Sequence, residues 1–152
     1  MAFDPRIVEA KLVLKMIHPE ELPDIAVEAM QAGFDGPTIC EMAFLVRPSG
    51  YTTDLLLGRF MAETGLSRIE VPTAALRLAQ HLARSILANN EDPLLFTRQF
   101  EQLWIATDYA PSIQELGTLD DDVYISFADN STKARGFVRD VLKEFADRPD
   151  AP

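Results

Sequence analysis

The sequence predicts an all-α fold: a single compact domain over residues 1–152, built of seven to eight short helices, with 147–152 as a frayed tail. Three observations carry this. Proline and glycine punctuate the chain at intervals that suit helices. Between them, apolar residues recur every three or four positions. Strand-like alternation is confined to residues 123–128, and a lone strand has nothing to pair with, so that segment is also read as helix. A chain of 152 residues has the size of one domain. It buries roughly two-thirds of its unfolded surface, so it needs no crosslinks to fold.

The elements follow in order. Asp4-Pro5 supplies a cap and a first helical residue for a helix running to Ile17, with Ile7, Ala10, Leu14 and Ile17 on one face. His18-Pro19 restarts the pattern, and Pro23 lies in the first turn of a helix that Gly33 stops. Asp35-Gly36-Pro37 turns into a short helix over 38–46, and a loop over 47–50 follows. Residues 52–63 are helical in pattern despite Gly58, and Gly65 ends them. The clearest helix is 72–88, with Ala75, Leu78, Leu82 and Ile86 inward and Arg77, Gln80, His81 and Arg84 on the opposite face. Asp92-Pro93 opens the next helix, striped by Phe96, Phe100, Leu103 and Thr107, with Trp104 beside the stripe. Pro111 breaks it, and Ser112 with Glu115 has the spacing of a capping box. Asp120, Asp121 and Asp122 feed negative charge into a helix N-terminus. Ser131 or Thr132 begins the last helix, which turns Phe137, Val138, Val141, Leu142 and Phe145 inward.

Charge is unevenly spread. Residues 91–129 hold nine acids and one base, Arg98, and so carry −8 of the chain's net −10. A sequence pI near 4.6 and scattered bases argue against a nucleic-acid backbone, whose binding needs Lys and Arg, and against anionic membranes. No run is long and apolar enough to span a bilayer, and the N-terminus does not read as a signal peptide. The one cysteine, Cys40, permits no intrachain disulfide. A cytoplasmic protein is the expectation.

Residues capable of chemistry are few. His18 reads as a helix-entry or surface residue, and His81 as an exposed residue among cations that disfavour metal capture. Two histidines and one cysteine lack zinc spacing, and the Asp triplet lacks the interleaved ligands, glycine and closing Glu of a calcium loop. Cys40 reads as a buried structural thiol. Glycine-rich phosphate loops and the nucleophile elbow are missing. No catalytic, metal or cofactor set is therefore assigned. Paired carboxylates are what remains for catalysis.

Acids in 91–129 alternate with large amphipathic groups, a pattern that suits a partner surface of aromatic anchors ringed by charge. The candidate partner-binding residues are Asp108, Tyr109, Glu115, Asp120, Asp121, Asp122, Tyr124 and Asp129. Their expected partner is a basic protein.

The stretch 74–106, an Ala-rich helix ending Ser85-Ile86-Leu87, then Asp92-Pro93, then an aromatic-bearing helix, resembles small acidic helical bacterial proteins of unknown function. Pro19-Glu20-Glu21-Leu22-Pro23 and Ala29-Met30-Gln31-Ala32-Gly33 add to the likeness. The resemblance implies a bacterial cytoplasmic protein and carries over no catalytic residue.

The leading expectation is a non-catalytic interaction module, in its sharpest form an immunity or antitoxin-type protein covering a basic toxin with its acidic face. The alternatives are a small carboxylate-dependent hydrolase or lyase, and a helical subunit of a larger assembly. The oligomeric state is left open.

Overall fold

The computed structural model describes residues 2–152, and every regular element in them is helical. Eight helices among the described residues have seven residues or more, and a ninth is a single turn. Within this all-α chain, backbone contacts gather into two compact units. One ends at Ile69 and the other is Glu70–Pro152.

The first unit contains α1 (Pro5–Val13), α2 (Leu22–Gln31), α3 (Pro37–Ala43) and α4 (Gly50–Thr64). Asp4 caps α1, its Oδ1 accepting from the N–H groups of Arg6 and Ile7 at 3.1 and 3.4 Å. The helix ends at Val13 rather than Ile17, because Lys15 turns left-handed at φ 55° and the Met16 N–H folds back to the Lys11 carbonyl. His18 does enter a helical turn, Pro19–Glu21, with its N–H donating to Glu21 Oε2 at 2.7 Å. The orphan N–H groups of α3 are met from a distance: Thr38 N–H donates to the two Glu63 carboxylate oxygens at 2.8 and 3.1 Å. Gly36 makes room for that carboxylate, since a Cβ there would overlap it. Leu22, Ile39, Met42, Phe60 and Leu66 form the core of this unit. Cys40, expected to be buried, is half-buried on α3.

The second unit contains α5 (Val71–Ala88), a 3-10 turn (Pro93–Leu95), α6 (Thr97–Ala106), a second 3-10 turn (Pro111–Ile113), α7 (Gln114–Gly117), α8 (Leu119–Ser126) and α9 (Ser131–Asp147). α5 packs on α9, and α6 packs on α7 and α8. Phe100, Ile113, Leu116, Leu119, Ile86, Val138, Leu142 and Phe145 are fully buried there. Complete burial of one such side chain contributes roughly 1.5–3 kcal/mol. Residues 123–126 are the end of α8, so the alternation there does not make a strand.

Three local expectations fail for identifiable reasons. Ser112 and Glu115 do not form a capping box, because the Ser112 hydroxyl donates instead to the Pro72 carbonyl at 3.1 Å. Asp92-Pro93 opens a 3-10 turn, with α6 starting only at Thr97. The polar face of α5 is covered by the end of α9 together with 147–152, the segment expected to fray. Gln80 Nε2 donates to the carbonyls of Phe145 and Pro149, and its Oε1 accepts from the Ala151 N–H. Arg84 donates to the carbonyls of Ala146 and Arg148 and to the Asp150 carboxylate. Arg77 Nε donates to the Pro152 oxygen at 2.8 Å. Of that face, His81 stays exposed as expected.

Candidate interaction surface

The eight candidate residues all fall in the second unit, which carries fourteen acids and eight bases. The structure sorts them into three groups, set by α6. The Thr97 hydroxyl at its start donates to Asp120 Oδ1 at 2.9 Å and to the Leu94 carbonyl at 3.3 Å. This ties the first turn of α8 to the N-terminal end of α6. Asp108 and Tyr109 follow its C-terminal end, a ten-residue helix away, about 15 Å along its axis. Glu115 lies elsewhere again, on α7.

At the first end, the Asp triplet lies inside the first turn of α8, where three carboxylates suit the helix macrodipole. The three side chains do different things. Asp120 accepts the Thr97 hydroxyl, and Asp122 accepts the hydroxyl of Thr118 at 3.3 Å. Asp121 faces water. Tyr124 and Ile125 follow it at three and four residues, the spacing that stacks side chains on one helix face. These two are 79% and 77% exposed. Leu95, also exposed, lies in the turn that Thr97 fastens to α8. Asp129 is exposed in the next loop. Phe127 stacks on Phe137 of α9 at 5.1 Å, and the Asn130 side chain caps α9 by accepting from the Lys133 N–H, so both ends of that loop are fixed.

At the other end, Asp108 and Tyr109 are both left-handed, at φ 55° and 59°. Such a conformation is uncommon outside glycine, and two in succession hold backbone strain. The strain is held by the helix end: the Tyr109 N–H donates to the Trp104 carbonyl at 2.8 Å and the Asp108 N–H to that of Ile105 at 3.0 Å. The Tyr109 ring then meets Trp104 edge-on, 4.9 Å between centroids. The Trp104 ring lies so close to Gly117 that a Cβ there would overlap it. Its Nε1 is buried and meets no acceptor among the described residues, so packing rather than a hydrogen bond holds this ring.

Glu115 faces Arg148 at 3.8 Å, and the same guanidinium meets Glu144 at 3.1 Å and covers the Phe145 ring at 3.9 Å. Its charge is partly offset where it stands. Asp92, a further acid of the 91–129 stretch, pairs with Arg135 of α9 through Nε and Nη2 at 3.0 and 3.2 Å. That hydrogen bond is the largest influence on its titration. Desolvation opposes it and the Leu94 N–H adds to it, with the net result that the Asp92 carboxyl is held below its ordinary pKa. This is the behaviour of an ion-pair member, whereas a general acid needs its pKa raised.

Sequence reading missed Ile125 and Leu95. The signal for Ile125 was present: once 119–126 is a helix, an apolar pair three and four residues after an outward Asp must share its face. Leu95 left no comparable signal, because its exposure depends on a 3-10 turn in place of the first turn of α6.

The described residues gather no group of three or more His, Cys, Asp or Glu able to hold a metal ion, and none of their helices is long and apolar enough to cross a membrane. Comparison with protein-family models, with curated proteins and with solved structures finds no match to this chain.

Proposed function

We propose that the chain is a non-catalytic interaction module whose second unit binds a basic protein through the outer face of α8. One observation carries this: Asp121, Tyr124 and Ile125 share a single exposed helix face, with Asp129 in the following loop. Two large, adjacent, water-facing side chains on an eight-residue helix are poorly accounted for by folding, since they add nothing to the core. They suit anchors that a partner buries, and the flanking carboxylates select a cationic partner and speed its approach. The acids at Asp120, Asp122, Glu115 and Asp92 are engaged within the unit, and their part is structural.

A fluorescence-anisotropy titration with a labelled amphipathic lysine–leucine peptide tests the reading. Tyr124→Ala should weaken binding by about tenfold, as expected of an anchor. Asp121→Lys should weaken it strongly at low salt and little at high salt. Equal affinity of wild type and Tyr124→Ala at every salt concentration would remove α8 as the binding face.

A further inference from the structure

We propose that two copies of this chain associate through α4, packed antiparallel about a two-fold axis. Tyr51, Leu55, Gly58 and Ala62 follow one another at steps of four, three and four, one stripe along the helix, and all four are exposed. The buried side of the same helix carries Thr53, Phe60 and Thr64. The outer stripe is therefore additional to the core-facing one. It is also graded. Its N-terminal half holds large side chains, Tyr51 at 76% and Leu55 at 63% exposure, and its C-terminal half holds small ones.

Beside the small half lies an open hollow of about 580 Å³, lined by Gly58, Met61, Ala62 and Leu66, with Asp54 and Arg68 as its charged members. Outside its own turn of helix, nothing among the described residues comes within 4 Å of the position of a Gly58 side chain. A surface with knobs at one end and a hole at the other is complementary to itself when reversed. Centring the crossing between Leu56 and Leu57 sets Tyr51 against Ala62 of the second copy and Leu55 against Gly58. Small residues there let the two backbones come close. The same reversal sets Asp54 opposite residue 59 of the other copy, beside the hollow whose lining holds Arg68 and that copy's own Asp54, so each Arg68 gains a carboxylate from the second copy, twice by symmetry. A parallel pairing would set Tyr51 on Tyr51 and glycine on glycine, and leave both hollows unfilled. Phe44 and Val46, exposed just ahead of α4, extend the apolar area at each end of the pair.

Sedimentation velocity on the full chain, from ~1 to ~100 μM, the range suited to a small interface, tests this. The wild type should pass from monomer to dimer within it. Leu55→Glu, at an exposed position, should leave thermal unfolding of the monomer unchanged and raise the dissociation constant by about tenfold or more. Asp54→Arg should weaken the dimer, and Asp54→Arg combined with Arg68→Asp should restore it. A protein monomeric throughout the range, or a dimer indifferent to Leu55→Glu, overturns the proposal. Failure of the double reversal to recover what Asp54→Arg loses overturns the antiparallel arrangement.

Discussion

Three consecutive aspartates show how far a residue's role is set by geometry rather than by type. Asp120 and Asp122 each accept a hydroxyl, from Thr97 and Thr118, while Asp121 faces water. Replacing Asp120 with Ala should cost about 1 kcal/mol in urea unfolding, the ordinary worth of a hydrogen bond of this kind, and should also free the start of α6 from α8. Asp121→Ala should stay within about 0.5 kcal/mol of wild type, as surface changes do. Gly117 is constrained by a neighbour. Gly117→Ala forces Trp104 off its seat, and overpacking of this sort costs about 1–3 kcal/mol. The tryptophan emission of the folded variant should shift along with the lower stability. Asp92 gives a pH signature. Its folded pKa is lowered, so its contribution is fully present above the ordinary carboxylate value and disappears as pH falls through the lowered one. Stability should therefore decline on acidification below the ordinary carboxylate value of 3.8, and Asp92→Asn should flatten that decline. An unchanged slope in the variant would show that the Arg135 pair is not its source.

Among the elements, the spacing of α5 places it almost to the residue, yet it leaves open what meets the polar face. The pattern of Arg77, Gln80 and Arg84 says only that these side chains need hydrogen-bond partners. Water and backbone carbonyls satisfy that need equally, and nothing in a sequence distinguishes them. The carbonyls came from the last turn of α9 and from 147–152, the stretch whose prolines and charges read as a frayed end. Gln80→Leu removes three hydrogen bonds at once, the one from the buried Ala151 N–H among them. Loss of these bonds should cost about 1–3 kcal/mol. Amide exchange at Ala151 should accelerate well before that of α5. Exchange that stays slow in the variant would mean the tail is held by other contacts. The shorter misses are of the same kind. Ser112 had the spacing for a capping box, but the Pro72 carbonyl, forty residues away in sequence, took its hydroxyl. α8 was read correctly as helix because a single strand has no partner, an argument from the whole chain rather than from the local pattern.

For the whole molecule, the excess of acid in 91–129 was plain in the sequence, and its meaning was not. Seven of the eight candidate residues divide between the two ends of α6, and the eighth, Glu115 on α7, is set against Arg148 at the end of α9. Linear charge counts treat every carboxylate as equal, whereas folding assigns several of them to Arg135, Arg148 and two threonines. The surface proposed for a partner is smaller and more apolar, around Asp121, Tyr124, Ile125 and Asp129. Association with a cationic probe should accordingly be steered by the net charge of −10 but held by the apolar pair. The rate of association should fall with added salt, and the rate of dissociation should change little.

The most direct measurement of this account is a 1H–15N chemical-shift titration of the full chain with the unlabelled lysine–leucine peptide. The largest perturbations should cluster on Asp121, Tyr124, Ile125, Asp129 and Leu95. They should collapse when Tyr124 and Ile125 are both replaced by alanine. Perturbations spread evenly over all the acidic segments, or concentrated at Asp108 and Tyr109 with α8 unmoved, would contradict it.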